Sequence, residues 1–150
     1  MARKQKKALA YEAIRVLQEL VEVFEERRQQ LAAEAGLSDL QWRVLEQVAA
    51  EDFMPSLFAR SRKQSPAGIS RTLRQLLERD LVRVSIGRAD ARQRDYRLTA
   101  RGRRVLADMR TRREEAIEAV WLELSAEELT AFAATGAGLA VRLRGYAGRR

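Results

Sequence analysis

Residues 55–79 read PSLFARSRKQSPAGISRTLRQLLER, and this stretch decides the fold. Pro55 suits the first turn of a short helix carrying Leu57, Phe58 and Ala59, because proline lacks the N–H that a first turn leaves unpaired anyway. A polar run, Arg60 to Gln64, ends that helix. Ser65 and Pro66 then repeat the start signal, a capping hydroxyl followed by proline, and the spacing predicts a second helix to about Arg79. At 100° per residue, Ile69, Leu73, Leu76 and Leu77 share one side of it. Ala67, Arg71, Arg74 and Glu78 lie near the opposite side, with Ser70 and Gln75 flanking. Two short helices joined by a tight polar turn make a helix-turn-helix pattern.

Downstream, residues 81–86 (Leu81 to Ile86) alternate as a β-strand, and Tyr96 to Leu98 read as its return. The nine residues from Gly87 to Asp95 between them form a long charged tip that presents Arg88, Arg92 and Arg94. Such a hairpin directly after the second helix is a wing. Thr99 opens a further helix through Val105 and Met109 to Val120, and Ser125 with Glu128 makes a capping box for a last helix. Upstream, Leu9, Val16, Leu17, Leu20, Phe24 and Leu31 recur at helical spacing from about Lys7 to Ala35. That helix would run about 40 Å, longer than a small domain needs, so part of its stripe is expected to meet a second chain. Gly36 ends it, and Ser38 with Gln41 caps a helix over Asp39 to about Ala50.

Composition narrows the chemistry. The 150 residues contain neither cysteine nor histidine, which removes disulfides, thiolate metal sites and the usual nucleophile–base pairs. We therefore expect binding rather than catalysis, no cofactor and no metal. Neither a long apolar run nor a signal-type N-terminus is visible, so a cytoplasmic protein is expected. The net charge of +8 is unevenly spread: residues 58–113 hold 17 Lys or Arg against 5 Asp or Glu, whereas the remainder is mildly acidic. A clustered basic stretch points to a polyanionic partner. Ser65, Ala67, Ser70, Arg71, Arg74 and Gln75 are the candidate major-groove face, since arginine binds guanine N7 and O6 bidentately and small residues allow close approach. Arg88, Asp90, Arg92 and Arg94 are the candidate wing contacts, with the arginines suited to a narrow minor groove and Asp90 holding a neighbouring guanidinium.

The sequence resembles the multiple-antibiotic-resistance regulator (MarR) family of winged helix-turn-helix transcription regulators. Asp90, Arg92, Leu98, Thr99 and Gly102 match that family's wing motif. Ser65, Pro66, Ser70, Arg71, Leu76 and the Leu81–Val82 pair match its recognition-helix segment. The resemblance implies a mainly α fold with one small antiparallel β-hairpin. The winged helix-turn-helix would occupy 37–102, a connecting helix 99–121, and dimerisation helices 1–35 and 121–150. It also implies a homodimer on a palindromic double-stranded DNA operator, with the recognition helix in the major groove and Arg92 in the minor groove. The chain departs from the family at Arg62, Lys63 and Gln64, where apolar residues and often glycine are usual, and at Asp80, where glycine is usual. Many of these regulators release DNA on binding a small aromatic or anionic effector. Arg15, Trp42, Arg43, Phe53, Met54 and Met109 are candidates for such a pocket here, against the alternative that they are ordinary core and surface. The competing functional reading is a non-specific architectural or RNA-binding protein that merely neutralises phosphate.

Overall fold

The computed structural model describes residues 2–50, 53–86 and 94–148. Its elements are α1 (Ala2–Glu34), α2 (Asp39–Ala49), α3 (Pro55–Ser61), α4 (Pro66–Glu78), β1 (Val82–Ile86), β2 (Arg94–Leu98), α5 (Ala100–Ala116), a π-helical segment (Ile117–Trp121) and α6 (Ala126–Ala147). The class is mainly α with a two-stranded antiparallel sheet, as the sequence predicts. Two compact units are distinguished, Met1–Arg110 and Thr111–Arg150.

In the first unit, α1, α3 and α4 all end in the same hydrogen-bond pattern, but only α1 ends on glycine. Leu37 N–H reaches Ala32 C=O and Gly36 N–H reaches Ala33 C=O, with Gly36 at φ +67°. That is a Schellman cap, and it needs a left-handed residue at its apex. The same pair of bonds closes α3 through Gln64 and Lys63, and closes α4 through Leu81 and Asp80. Lys63 (φ 52°) and Asp80 (φ 54°) hold the left-handed conformation that glycine adopts without cost. The departures from the family at these turns therefore leave the turn geometry in place and add charge beside it.

Side-chain caps start the helices where expected. Ser38 and Gln41 form a reciprocal capping box on α2, and the Ser65 hydroxyl accepts from Gly68 N–H at the start of α4. The Thr99 hydroxyl accepts from Gly102 N–H at the start of α5 and donates to Asp80 C=O at 2.6 Å. One side chain thus caps α5 and clasps the turn that leaves α4. The core is built from Leu31, Val44, Leu45, Ile69, Leu76, Leu81, Leu106 and Met109, all buried. Each is worth roughly 1.5–3 kcal/mol of transfer free energy.

Several element boundaries differ from the sequence reading. α1 begins at Ala2, because its polar first turns have good helix formers and nothing to stop them. β2 begins at Arg94, which pairs with Ile86, so Arg94 and Asp95 belong to the strand and not to the hairpin tip. The apolar stripe of α1 is exposed over most of its length: Leu9, Ile14, Leu17, Val21 and Phe24 are at least two-fifths accessible, and only Leu31 and Ala32 are buried.

In the second unit, the π-helical segment carries Trp121, whose ring meets Phe132 edge-on at 6.1 Å between centroids. Ser125 and Glu128 form the expected capping box on α6. No residue of α6 is buried, and Phe132, Leu139, Val141, Leu143 and Tyr146 are exposed. A Cβ added at Gly136 or Gly138 would meet nothing within 4 Å. Among the described residues no helix is long and apolar enough to cross a membrane, nor do three metal-ligating side chains come together.

Candidate nucleic-acid interface

The helix α4 has two distinct sides. Ile69, Thr72, Leu73 and Leu76 are buried, and the Thr72 hydroxyl avoids an unpaired position by donating to Gly68 C=O at 3.0 Å. Thr72 was not among the apolar positions that set the predicted buried face; its internal hydrogen bond is what lets a polar residue sit there. Leu77, expected in the core, is only partly buried. Ser65, Ala67, Ser70, Arg71, Arg74 and Gln75 are all exposed. Arg71 and Arg74 have neither an ion pair nor a side-chain hydrogen bond among the described residues. Their guanidinium donors are thus left to an external acceptor.

Gln75 differs from its neighbours. Its Oε1 accepts from Gln41 Nε2 at 3.0 Å. Gln41 Oε1 in turn accepts from Ser38 N–H at 3.0 Å and from Arg79 at 3.3 Å, and Arg79 also donates to Gly36 C=O at 2.7 Å. This chain ties the exposed side of α4 to the start of α2 and to the Schellman turn of α1. Gln41 and Arg79 are the supporting residues that sequence reading did not single out. Spacing identifies Gln41 as half of a capping box, and nothing in that spacing shows that its amide also spans to α4.

Arg60 in the last turn of α3 and Arg62 and Lys63 on the turn before α4 are exposed, so the positive charge continues past the helix start. On the hairpin, Arg94 is exposed at the first position of β2. Arg88, Asp90 and Arg92, expected in the wing tip, lie outside the described residues. Asp95 pairs with Arg97 at 3.0 Å on the same strand.

The six residues grouped as an effector pocket are differently placed. Phe53 and Met54 line a cleft of about 180 Å³ with Leu57 and Phe58, and Phe53 also meets the rings of Phe58 and Tyr96 edge-on. Met109 is fully buried in the core. Trp42 is buried too, and its indole N–H finds no acceptor among the described residues. Arg15 pairs with Glu19, while Arg43 and Arg28 both pair with Asp39. A larger cleft of about 430 Å³ at the wing base is lined by Arg83, Arg97, Arg103 and Arg110 with Leu98 and Leu106, and neither it nor the Phe53–Met54 cleft includes Arg15, Trp42, Arg43 or Met109.

No protein-family model and no curated protein matches the chain. Solved structures do. A MarR family transcription regulator superposes over all of both chains with a TM-score of 0.89 at 18% identity. Staphylococcus aureus MarR, solved with salicylate and kanamycin, covers 91% of this chain and 93% of its own at TM-score 0.77 and 17% identity. Staphylococcus aureus MepR in a DNA complex covers 85% of this chain and 94% of its own at TM-score 0.68 and 16% identity. Together with the helix-turn-helix, the hairpin and the long helices at either end, these similarities give the chain the winged-helix fold of MarR family transcription regulators.

Proposed function

We propose that the chain is a sequence-specific, double-stranded DNA-binding transcription regulator, acting as a homodimer and most simply as a repressor. The observation that carries this reading is the two-sided α4: four residues lock it to the core, and the opposite side offers Ser70, Arg71, Arg74 and Gln75 to solvent. Serine, arginine and glutamine are side chains that read base edges, whereas simple phosphate neutralisation would be served by lysine. In this reading α4 lies in the major groove, with its N-terminus against a phosphate. The wing arginines Arg88, Arg92 and Arg94 enter the adjacent minor groove, and Asp90 orients one of them. MepR, with the same fold, has been crystallised with DNA, which supports the same partner here.

The exposed apolar stripe of α1 and that of α6 are each what a second copy would cover. A two-fold dimer presents two copies of α4 to half-sites about one helical turn apart, so the operator is palindromic. Regulation by a small aromatic or anionic effector is part of the proposal, supported by the salicylate complex of the similarly folded Staphylococcus aureus MarR. The activity calls for no cofactor and for no enzymatic step, and it places the protein with the chromosome.

Selection from a pool of random duplexes, at near-physiological salt and with excess competitor, tests the proposal. An enriched palindrome supports it. Retention without an enriched motif favours the non-specific architectural reading, and no retention refutes DNA binding.

A further inference from the structure

The hydrogen bonds around Gln41 leave its amide only one orientation. Its Oε1 accepts from the Ser38 backbone N–H at 3.0 Å and from the Arg79 guanidinium at 3.3 Å. Both partners are donors with no acceptor capacity, so the oxygen must face them and the nitrogen must face α4. That nitrogen donates to Gln75 Oε1 at 3.0 Å. Gln41 is half-buried, and Arg79 is itself anchored to Gly36 C=O at 2.7 Å, so the chain of bonds starts from fixed backbone.

The orientation is passed on to Gln75. With its oxygen turned to Gln41, Gln75 has its nitrogen left over; the side chain is exposed, and among the described residues that nitrogen makes no hydrogen bond. An unrestrained glutamine reads adenine bidentately, with its oxygen on the N6 amino group and its nitrogen on N7. Gln75 is turned away from that pairing and has donors to offer. Their matching major-groove acceptors are guanine O6 and N7 and thymine O4. Adenine shares N7 but sets an amino donor beside it, and cytosine offers an amino donor in place of an acceptor.

We infer that Gln41 sets the polarity of Gln75, making it a donor that selects a keto base, guanine or thymine, over adenine or cytosine at one base pair in each half-site. This rests on the proposal that α4 reads DNA. Gln41 is a positioning residue, acting on the base through Gln75.

Gln41→Glu separates this role from support of the fold. Glutamate keeps an acceptor for Ser38 N–H and Arg79 and suits the third position of a capping box, but it has no donor for Gln75. Gln75 then turns its amide round, donates to the new carboxylate and presents its oxygen, which matches an amino base.

Selection from random duplexes with the full chain, Gln75→Ala and Gln41→Glu tests this. At the base pair that becomes indifferent in Gln75→Ala, the parent should prefer a keto base about five-fold, the worth of one net hydrogen bond. Gln41→Glu should reverse that preference to adenine or cytosine and leave the positions read by Arg71 and Arg74 as they were. An unchanged preference in Gln41→Glu, a parent preference for adenine, or no base pair altered by Gln75→Ala would overturn the inference while the DNA reading stands. Selection of no motif by the parent refutes the DNA reading and this inference with it. In the free protein, Gln75→Ala should shift the side-chain amide resonances of Gln41; if they stay in place, the bond between the two is absent and the inference fails whatever the DNA result.

Discussion

A Cβ on Gly102 would stand 2.0 Å from the carbonyl oxygen of Leu81. The first turn of α5 therefore runs directly against the backbone at the entry to β1, and the wing is anchored there. Thr99 reinforces the junction, since its N–H donates to the same Leu81 oxygen at 3.1 Å. Gly102→Ala must push a backbone apart, not a flexible side chain. We predict a loss of about 3 kcal/mol or more in denaturant-induced unfolding. A loss under about 1 kcal/mol would mean that the junction is looser than this contact requires.

Lys63 and Asp80 offer the opposite change. Each holds a left-handed conformation that costs a non-glycine residue about 1–2 kcal/mol. Replacing either by glycine removes that strain and adds back about 0.5–1 kcal/mol of chain entropy. Lys63→Gly is expected to stabilise the protein by about 0.5–1 kcal/mol, and Asp80→Gly by less, because aspartate tolerates this conformation better than lysine. Thermal melts would show it, and a lowered midpoint for Lys63→Gly would contradict it.

Gln41 supports the exposed side of α4, which we propose reads DNA, through Gln75 without being on that side. Its replacement by Ala leaves Arg79 and Gln75 short of one partner each. Operator affinity should fall about three- to ten-fold, in line with a net hydrogen bond of about 1 kcal/mol. Affinity for random duplex should hardly change. Equal losses on both would show that Gln41 acts on stability alone, and an unfolding curve would confirm that.

Glu128 sets a pH dependence at the start of α6. Hydrogen bonds from the Ser125 backbone N–H (2.8 Å) and hydroxyl (2.9 Å) hold its carboxyl below the usual carboxylate range. A depressed folded-state pKa contributes stability above the unfolded value and loses it as pH falls through the lowered folded value. The first turn of α6 should accordingly fray on acidification, read as the pH dependence of the amide shifts at Ser125 and Glu128. Glu128→Gln should abolish that dependence; an unchanged titration would refute the assignment.

The exposed stripes of α1 and α6 predict self-association. Sedimentation at micromolar concentration should give twice the 17.1 kDa chain mass. A charge placed at Leu17 or Leu139, as Leu17→Glu or Leu139→Glu, should shift the equilibrium toward monomer. A monomeric parent protein would remove the two-fold argument for a palindromic operator.

Much of the fold is legible in the sequence. Serine caps at 38, 65 and 125, proline at the starts of α3 and α4, and glycine after α1 are local signals whose physics acts within four residues. The exposure of Arg71 and Arg74 followed from helical periodicity alone. Long-range consequences were not legible. Gly102 could be matched to a motif, but the Leu81 carbonyl that demands it is 21 positions earlier. The four arginines of the wing-base cleft come from three elements, and only tertiary packing brings them together. Spacing alone leaves Trp42 and Met109 open as pocket or core, with core the commoner outcome for such residues, and their burial is decided by neighbours on other helices. The sequence pattern starts the return strand at Tyr96, whereas pairing with Ile86 extends β2 back to Arg94.

The central claim is that α4 reads bases through Arg71 and Arg74. Its most direct test is the affinity of Arg71→Ala and Arg74→Ala for the selected operator and for every single base-pair change in it. Each variant should lose about 1–3 kcal/mol on the operator and become indifferent at particular base pairs, the same in both half-sites. Arg92→Ala, by comparison, should weaken all sequences more evenly. If Arg71→Ala and Arg74→Ala instead weaken every duplex alike and leave the preference at each position intact, these arginines contact only the DNA backbone and the claim is wrong.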